Sequence, residues 1–143
     1  MQAMIRGMDL VEDLRDSLVQ VSFAVIAVLS RVAAEHDLSL TQLRVLGILR
    51  DREPTMAELA SYLGLERSTV SGLIDRAVAR GLVKKTTDAG DGRSVRVSLT
   101  TDARRLEKRV IGQLGELMAP LTDRLNSVEQ QRLSSLIMKA LDR

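Results

Sequence analysis

The sequence predicts a mainly α-helical chain with one small β-hairpin, and three observations carry that prediction. Apolar residues recur at helical spacing over most of the 143 residues. A short stretch ending in Val95, Val97 and Leu99, alternating with Arg96 and Ser98, switches to strand period beside the turn-rich Asp88–Gly92. Helix starts are marked three times by a Ser or Thr followed three residues later by Glu or Gln, at Ser39, Thr55 and Ser127.

Met8 to about Ala34 lacks Gly and Pro and reads as one helix of roughly 40 Å. Leu14, Leu18, Val21, Val25, Val28 and Val32 follow heptad spacing, and Val19, Phe23, Ile26 and Ala33 form a second apolar row. Two apolar faces on one helix must be wrapped by other helices or by a second subunit. The apolar run Val21–Ala34 is too short to span a bilayer and is interrupted by Ser22, Ser30 and Arg31. It follows acidic Asp9, Glu12, Asp13 and Asp16, where a signal peptide needs positive charge, so a cytoplasmic protein without a membrane partner is expected. Ser39 opens the next helix with a capping box to Gln42; Leu43, Leu46 and Leu49 form its inner side, and Asp51–Pro54 end it.

Residues 55 to 99 organise the rest. Thr55 and Glu58 suggest a capping box, Met56, Leu59, Ala60 and Leu63 cover one helical face, and Gly64 supplies a sharp turn. In the following helix, about Glu66–Arg80, Val70, Leu73, Ile74, Ala77 and Val78 fall on one side. Ser68, Ser71, Gly72, Asp75 and Ala79 form the opposite stripe, with Arg67, Thr69 and Arg76 at its margins. Small, hydrogen-bonding side chains let a helix lie deep in a DNA major groove. Gly81 suits a left-handed helix end, Leu82 and Val83 restart the chain as a strand, and the hairpin's outward residues Lys84, Lys85, Arg93 and Arg96 are basic. From Arg80 to Arg96, five Lys or Arg stand against Asp88 and Asp91, the concentration that phosphate contacts need. Alone, the helix reads as an ordinary amphipathic one and the hairpin as a solvated edge; adjacent, they read as a helix-turn-helix with a wing.

Thr100 or Thr101 caps another helix bearing Leu106, Val110, Leu114, Leu117 and Leu121, which Pro120 kinks or ends. A last helix opens at Ser127, with Gln130 completing its capping box and Leu133, Leu136, Ile137, Ala140 and Leu141 as its stripe.

Composition excludes several classes. The absence of cysteine removes disulfides, thiolate metal sites and thiol redox sensing, and His36, the one histidine, lacks the neighbours of a metal site. No Gly-rich phosphate loop or His-based constellation suggests an enzyme, and no cofactor is expected. One Tyr and one Phe provide no stacking platform for single strands, so duplex DNA is the better partner. Charge agrees: residues 41–100 hold ten basic and seven acidic side chains, whereas 1–40 hold three and six.

The motif order from about Leu38 to Thr100 resembles the MarR-type transcriptional regulators. RSTVSGLIDRAVARGLV resembles the family's recognition helix and its turn into the wing, and Asp91-Gly92-Arg93 followed by Leu99-Thr100 matches its D-x-R and L-T. Ala79 departs from the longer or charged residue that many members carry. The resemblance implies a winged helix-turn-helix flanked by N- and C-terminal dimerisation helices. It divides one domain, 1–143, into a DNA-reading region at 38–100 and a dimerisation region at 8–36 and 101–143. It places Arg93 in the minor groove, paired with Asp91, and implies a homodimeric repressor that reads a pseudo-palindromic operator and responds to a small-molecule effector. The residues leave one alternative, a helical protein-interaction module without specific DNA binding.

Overall fold

Helix starts in this chain are set by side chains that satisfy first-turn amides, and the observed element order follows from them. The computed structural model describes residues 2–88 and 90–142, with the side chains of residues 2–6, 88 and 91–93 outside the description. The order is α1 (Gln2–Glu35), α2 (Leu40–Ile48), α3 (Met56–Leu63), α4 (Arg67–Ala79), β1 (Val83–Asp88), β2 (Asp91–Leu99), α5 (Thr101–Thr122) and α6 (Ser127–Ala140). The two strands pair antiparallel, from Val83 opposite Leu99 to Asp88 opposite Asp91. The expected fold class, mainly helical with a hairpin wing, is the one observed.

The capping expectations divide. At Ser39 the box is complete: its hydroxyl accepts the Gln42 N–H and the Gln42 carbonyl oxygen accepts the Ser39 N–H, each at 3.0 Å. At Thr55 only half forms, because the Glu58 carboxylate takes the Thr55 hydroxyl proton at 3.1 Å instead of the backbone N–H. The last helix is capped one residue earlier than Ser127. Asn126 accepts the Glu129 N–H at 2.9 Å and Glu129 accepts the Asn126 N–H at 3.0 Å, leaving Gln130 to donate to the carbonyls of Thr122 and Leu125. Asparagine caps as well as serine, so the two registers compete on equal terms in the sequence. Pro120 does not end α5. It removes one N–H in the last turns, and the Asp123 N–H still reaches the Ala119 carbonyl at 2.8 Å.

One core joins the middle of the chain to the near halves of α1 and α5. The largest fully buried side chains are Val32, Leu49, Leu59, Val70, Ile74 and Val97, drawn from α1, the end of α2, α3, α4 and β2. Ala103, Leu106 and Val110 add the first turns of α5. On α2, Val45 is buried and Leu46 only partly so, which moves the inner side from the expected Leu43-Leu46-Leu49 line. Val78, expected in the core, is 40% exposed, since it lies at the margin of the arc that Val70, Leu73, Ile74 and Ala77 bury and no other element among the described residues covers that margin.

The ends behave differently. Leu14, Leu18, Val19, Val21, Phe23 and Ile26 of α1 are exposed, as are Leu133, Leu136 and Ile137 of α6, in which no residue is buried, and Leu141 at its C-cap. With α1 running 34 residues, Gly7–Glu35 is long and apolar enough to cross a membrane by length and composition alone. The length argument drawn from Val21–Ala34 is therefore corrected: the apolar residues before Ser22 belong to the same helix.

Candidate nucleic-acid interface

The reading helix α4 is seated by its apolar face. Val70, Leu73, Ile74 and Ala77 are buried against α3 and the rest of the core, the turn at Gly64 (φ +65°) setting the angle between the two helices. The seating leaves Arg67, Ser68, Thr69, Asp75, Arg76 and Ala79 exposed and Ser71 and Gly72 half-buried, the stripe expected from the sequence. Arg67, Ser68, Thr69, Ser71 and Arg76 make no side-chain hydrogen bond or ion pair among the described residues. A Cβ on Gly72 would meet only the Arg76 Nη1, at 3.5 Å, so the stripe is shallow there because it carries no side chain. Glu66 at the N-cap makes no side-chain cap.

The wing is fastened at its base. Thr100 caps α5 by accepting the Ala103 N–H at 3.1 Å, while its hydroxyl donates to the Gly81 carbonyl at 2.6 Å and its N–H to that of Leu82. A threonine after the last strand residue thus ties both arms of the hairpin to the next helix. The other side of β2 is held by Pro54, whose carbonyl accepts the Val97 N–H at 3.0 Å, next to a bridge between Thr55 and Arg96.

The basic residues expected to face outward are not equivalent. Lys84 is exposed. Lys85 lies 2.7 Å from the Asp75 carboxylate, an ion pair that binds wing to reading helix and neutralises the acid in the stripe. Arg96 is half-buried and engaged instead of being a freely outward cation: its guanidinium donates to the Glu53 carbonyl at 2.8 Å, beside the bridge that pairs Arg96 with Thr55. Ser98, also expected outside, is buried; it is a small side chain directly across from Lys84 and two residues from Arg96. The side chains of Asp91 and Arg93 lie outside the described residues. Pairing of Asp88 with Asp91 makes the wing turn shorter than the expected Asp88–Gly92, leaving only residues 89 and 90 between the strands.

Two features had no sequence signal. Arg80, counted with the basic hairpin, turns away from the stripe and donates to the carbonyls of His36 and Asp37. A cavity of about 770 Å³ opens between α1, α2 and α5. Leu29, Leu46, Leu106, Val110 and Leu114 line its apolar part, and Arg44, Arg50, Arg52 and Tyr62 its rim. There Arg52 lies over the Tyr62 ring at 5.2 Å and Arg50 pairs with Glu107 at 3.2 Å. His36 is half-buried, its Nε2 2.7 Å from the Gln113 carbonyl oxygen. Among the described residues no cluster of His, Asp and Glu could hold a metal ion.

Comparison with known proteins adds four findings. The MarR family model matches residues 36–94. The HTH-type transcriptional repressor NicR of Pseudomonas putida is 30% identical over 117 residues, which cover 81% of this chain and 74% of NicR. The crystal structure of wild-type MarR from E. coli in its apo form is similar at a TM-score of 0.74 and 26% identity, over 90% of this chain and 96% of that one. A mutant MarR from E. coli complexed with operator DNA is similar at a TM-score of 0.71 and 25% identity, over 90% and 94%.

Proposed function

The chain belongs to the MarR family of winged helix-turn-helix transcriptional regulators, and from that premise we propose a homodimeric repressor that reads a pseudo-palindromic operator and releases it on binding a small molecule. One observation carries the reading. The helix α4 is anchored by fully buried Val70 and Ile74 and presents Arg67, Ser68, Thr69, Ser71 and Arg76 with no side-chain partner among the described residues, beside Lys84 on the wing. Groups held in place but unsatisfied are what base edges and phosphates require. Operator DNA in the complex of the related MarR mutant and the repressor role of NicR support the same reading.

The proposed site roles rest on the exposure of the α4 stripe and on the family resemblance. Ser68, Ser71 and Gly72 face base edges, with Asp75 held among them by Lys85; Arg67, Thr69, Arg76 and Lys84 contact phosphates. Arg93 enters the minor groove with Asp91 beside it, as the D-x-R resemblance implies, and Arg96 supports the wing from behind. The exposed apolar rows of α1 and α6 form the dimer interface. The charges Asp9, Glu12, Asp13, Arg15 and Asp16 at the start of the α1 rows, with Ser17, Gln20 and Ser22 further along, suit a protein partner in the cytoplasm better than a lipid core. Residues 8–36 and 101–143 serve dimerisation and 38–100 DNA reading, with Val32, Ala103 and Leu106 joining the two. The cavity lies where the two regions meet and its volume suits a small organic ligand; Arg50 and Arg52 on its rim pair with Glu107 and Asp51, which also line it, and Arg44 donates to the Tyr62 carbonyl, so the lining does not fix the charge of that ligand.

Selection of bound duplexes from genomic fragments at physiological salt tests the reading. Recovery of a common inverted repeat, bound by a species of twice the chain mass, is the expected result. Binding without sequence preference would leave only a basic interaction module.

A further inference from the structure

We propose that Arg80 is a positioning residue that sets the angle of α4 against the dimerisation helices and so fixes the operator spacing the protein accepts. The proposal rests on the dimeric reading above. Helix α1 ends in a short turn, with Asp37 in the left-handed region at φ +54° and the Leu38 N–H returning to the Ala33 carbonyl at 2.9 Å. A turn of this kind leaves the carbonyls of His36 and Asp37 at the negative end of a helix without intrahelical donors. Arg80, the C-cap of α4, supplies them: Nη1 donates to the Asp37 carbonyl at 2.6 Å and Nη2 to that of His36 at 2.9 Å. Both arms of one rigid fork are used, across 43 and 44 residues of sequence.

The same turn is tied to α5. The Gln113 amide donates to the Glu35 carboxylate at 2.7 Å, and its carbonyl oxygen lies 2.7 Å from His36 Nε2. A carboxylate only accepts, so the Gln113 carbonyl is turned toward His36 and the proton of that bond sits on Nε2. Residues 35–37 therefore hold α1, α5 and α4 together at one point. Apart from the solvent-exposed pair of Asp75 with Lys85 on the wing, the remaining anchorage of α4 is apolar and non-directional, and it resists removal of the helix more than rotation. From Arg80 to Ser68 is about 18 Å along the axis. A rotation of roughly 10° about the Arg80 end would move the reading stripe about 3 Å, close to the 3.4 Å rise of one base pair.

The test uses the full-length dimer and the selected operator, together with duplexes in which one base pair is inserted or removed between the half-sites. Wild type should prefer the native spacing strongly. R80A should keep its dimer mass, its Tm and the salt dependence of nonspecific binding, yet discriminate native from altered spacing about tenfold less well. R80K, which keeps the charge but not the fork, should resemble R80A. An unchanged spacing profile in R80A overturns the proposal. So does a salt slope lowered by about one with the profile intact, which would make Arg80 a phosphate contact. If R80A fails to fold, R80K decides: native spacing preference with lysine present removes the role of the fork. A wild-type protein that selects no operator or is monomeric would defeat the dimeric reading first and the proposal with it, a result separable from any effect of the variants.

Discussion

The middle of the chain and its two ends use the same apolar periodicity and meet different fates. In α3 and α4 the periodic residues Leu59, Leu63, Val70 and Ile74 are buried by their own chain, whereas Phe23 of α1 is 70% exposed and Leu141, just past α6, 59%. Two helices record the transition within themselves. Along α5, Ala103, Leu106 and Val110 are buried, Leu114 and Leu117 partly so, and Leu121 is exposed. Along α1 the order is reversed, from exposed Leu14 and Leu18 to buried Val32 and Ala33. An amphipathic pattern thus declares that a face is adhesive without saying what adheres to it. Where the chain turns back on itself within a few residues the partner is internal; where it runs on past its own core the face stays exposed, the surface assigned above to the proposed dimer.

Breaking the ends should produce the largest effect. Deletion of residues 127–143 removes the α6 stripe, which in the proposed dimer packs with the exposed α1 rows, so the truncated chain is expected to aggregate or fall to monomer. A lone winged unit touches one half-site and forfeits about half of the phosphate contacts. Sedimentation equilibrium and operator titration check this, and a soluble, stable monomer of undiminished affinity would erase the distinction between ends and middle. A paired substitution sharpens it. Ile74→Ala should cost about 2 to 5 kcal/mol in denaturant unfolding, as a fully buried side chain does. Leu136→Ala, half-exposed in the single chain, should cost more than the roughly 0.5 kcal/mol of an ordinary surface change, and the cost should depend on protein concentration.

Changes within the middle separate contact from support. Ser71→Leu is expected to abolish operator discrimination while nonspecific binding persists, because the added bulk holds α4 away from base edges; full discrimination in a competition assay would contradict it. Arg93→Ala should weaken duplex binding by about 1 to 3 kcal/mol with the dimer intact, measured by electrophoretic titration. The smallest effect belongs to Lys85→Ala. Its pair with Asp75 is largely solvent-exposed, and thermal stability should fall by less than about 1 kcal/mol.

Much of this was legible because it is local. The boundary at Ser39, the left-handed glycines at positions 64 and 81, the buried face of α4 and the cap at Thr100 each depend on residues within a turn or two of one another. Misreadings arose where two local choices were equal, as with Asn126 and Ser127 at the start of α6, or where burial was decided by a distant element, as with Val78. The candidate site divides in the same way. The α4 stripe could be read from helical period, but the engagement of Arg96 could not, since its acceptor at Glu53 is 43 residues away.

By itself the sequence determined the element order, the reading helix and its stripe, the hairpin, and the family, because periodicity, caps and motif spacing are properties of short segments. Tertiary structure alone decided which cations remain available and which are spent on the protein. Lys85 goes to Asp75, Arg96 to the Glu53 carbonyl and Arg80 to the end of α1. It also decided that a cavity opens between α1, α2 and α5. Long-range packing chooses the partner of a flexible charged side chain and the space between helices, and neither choice leaves a period in the sequence.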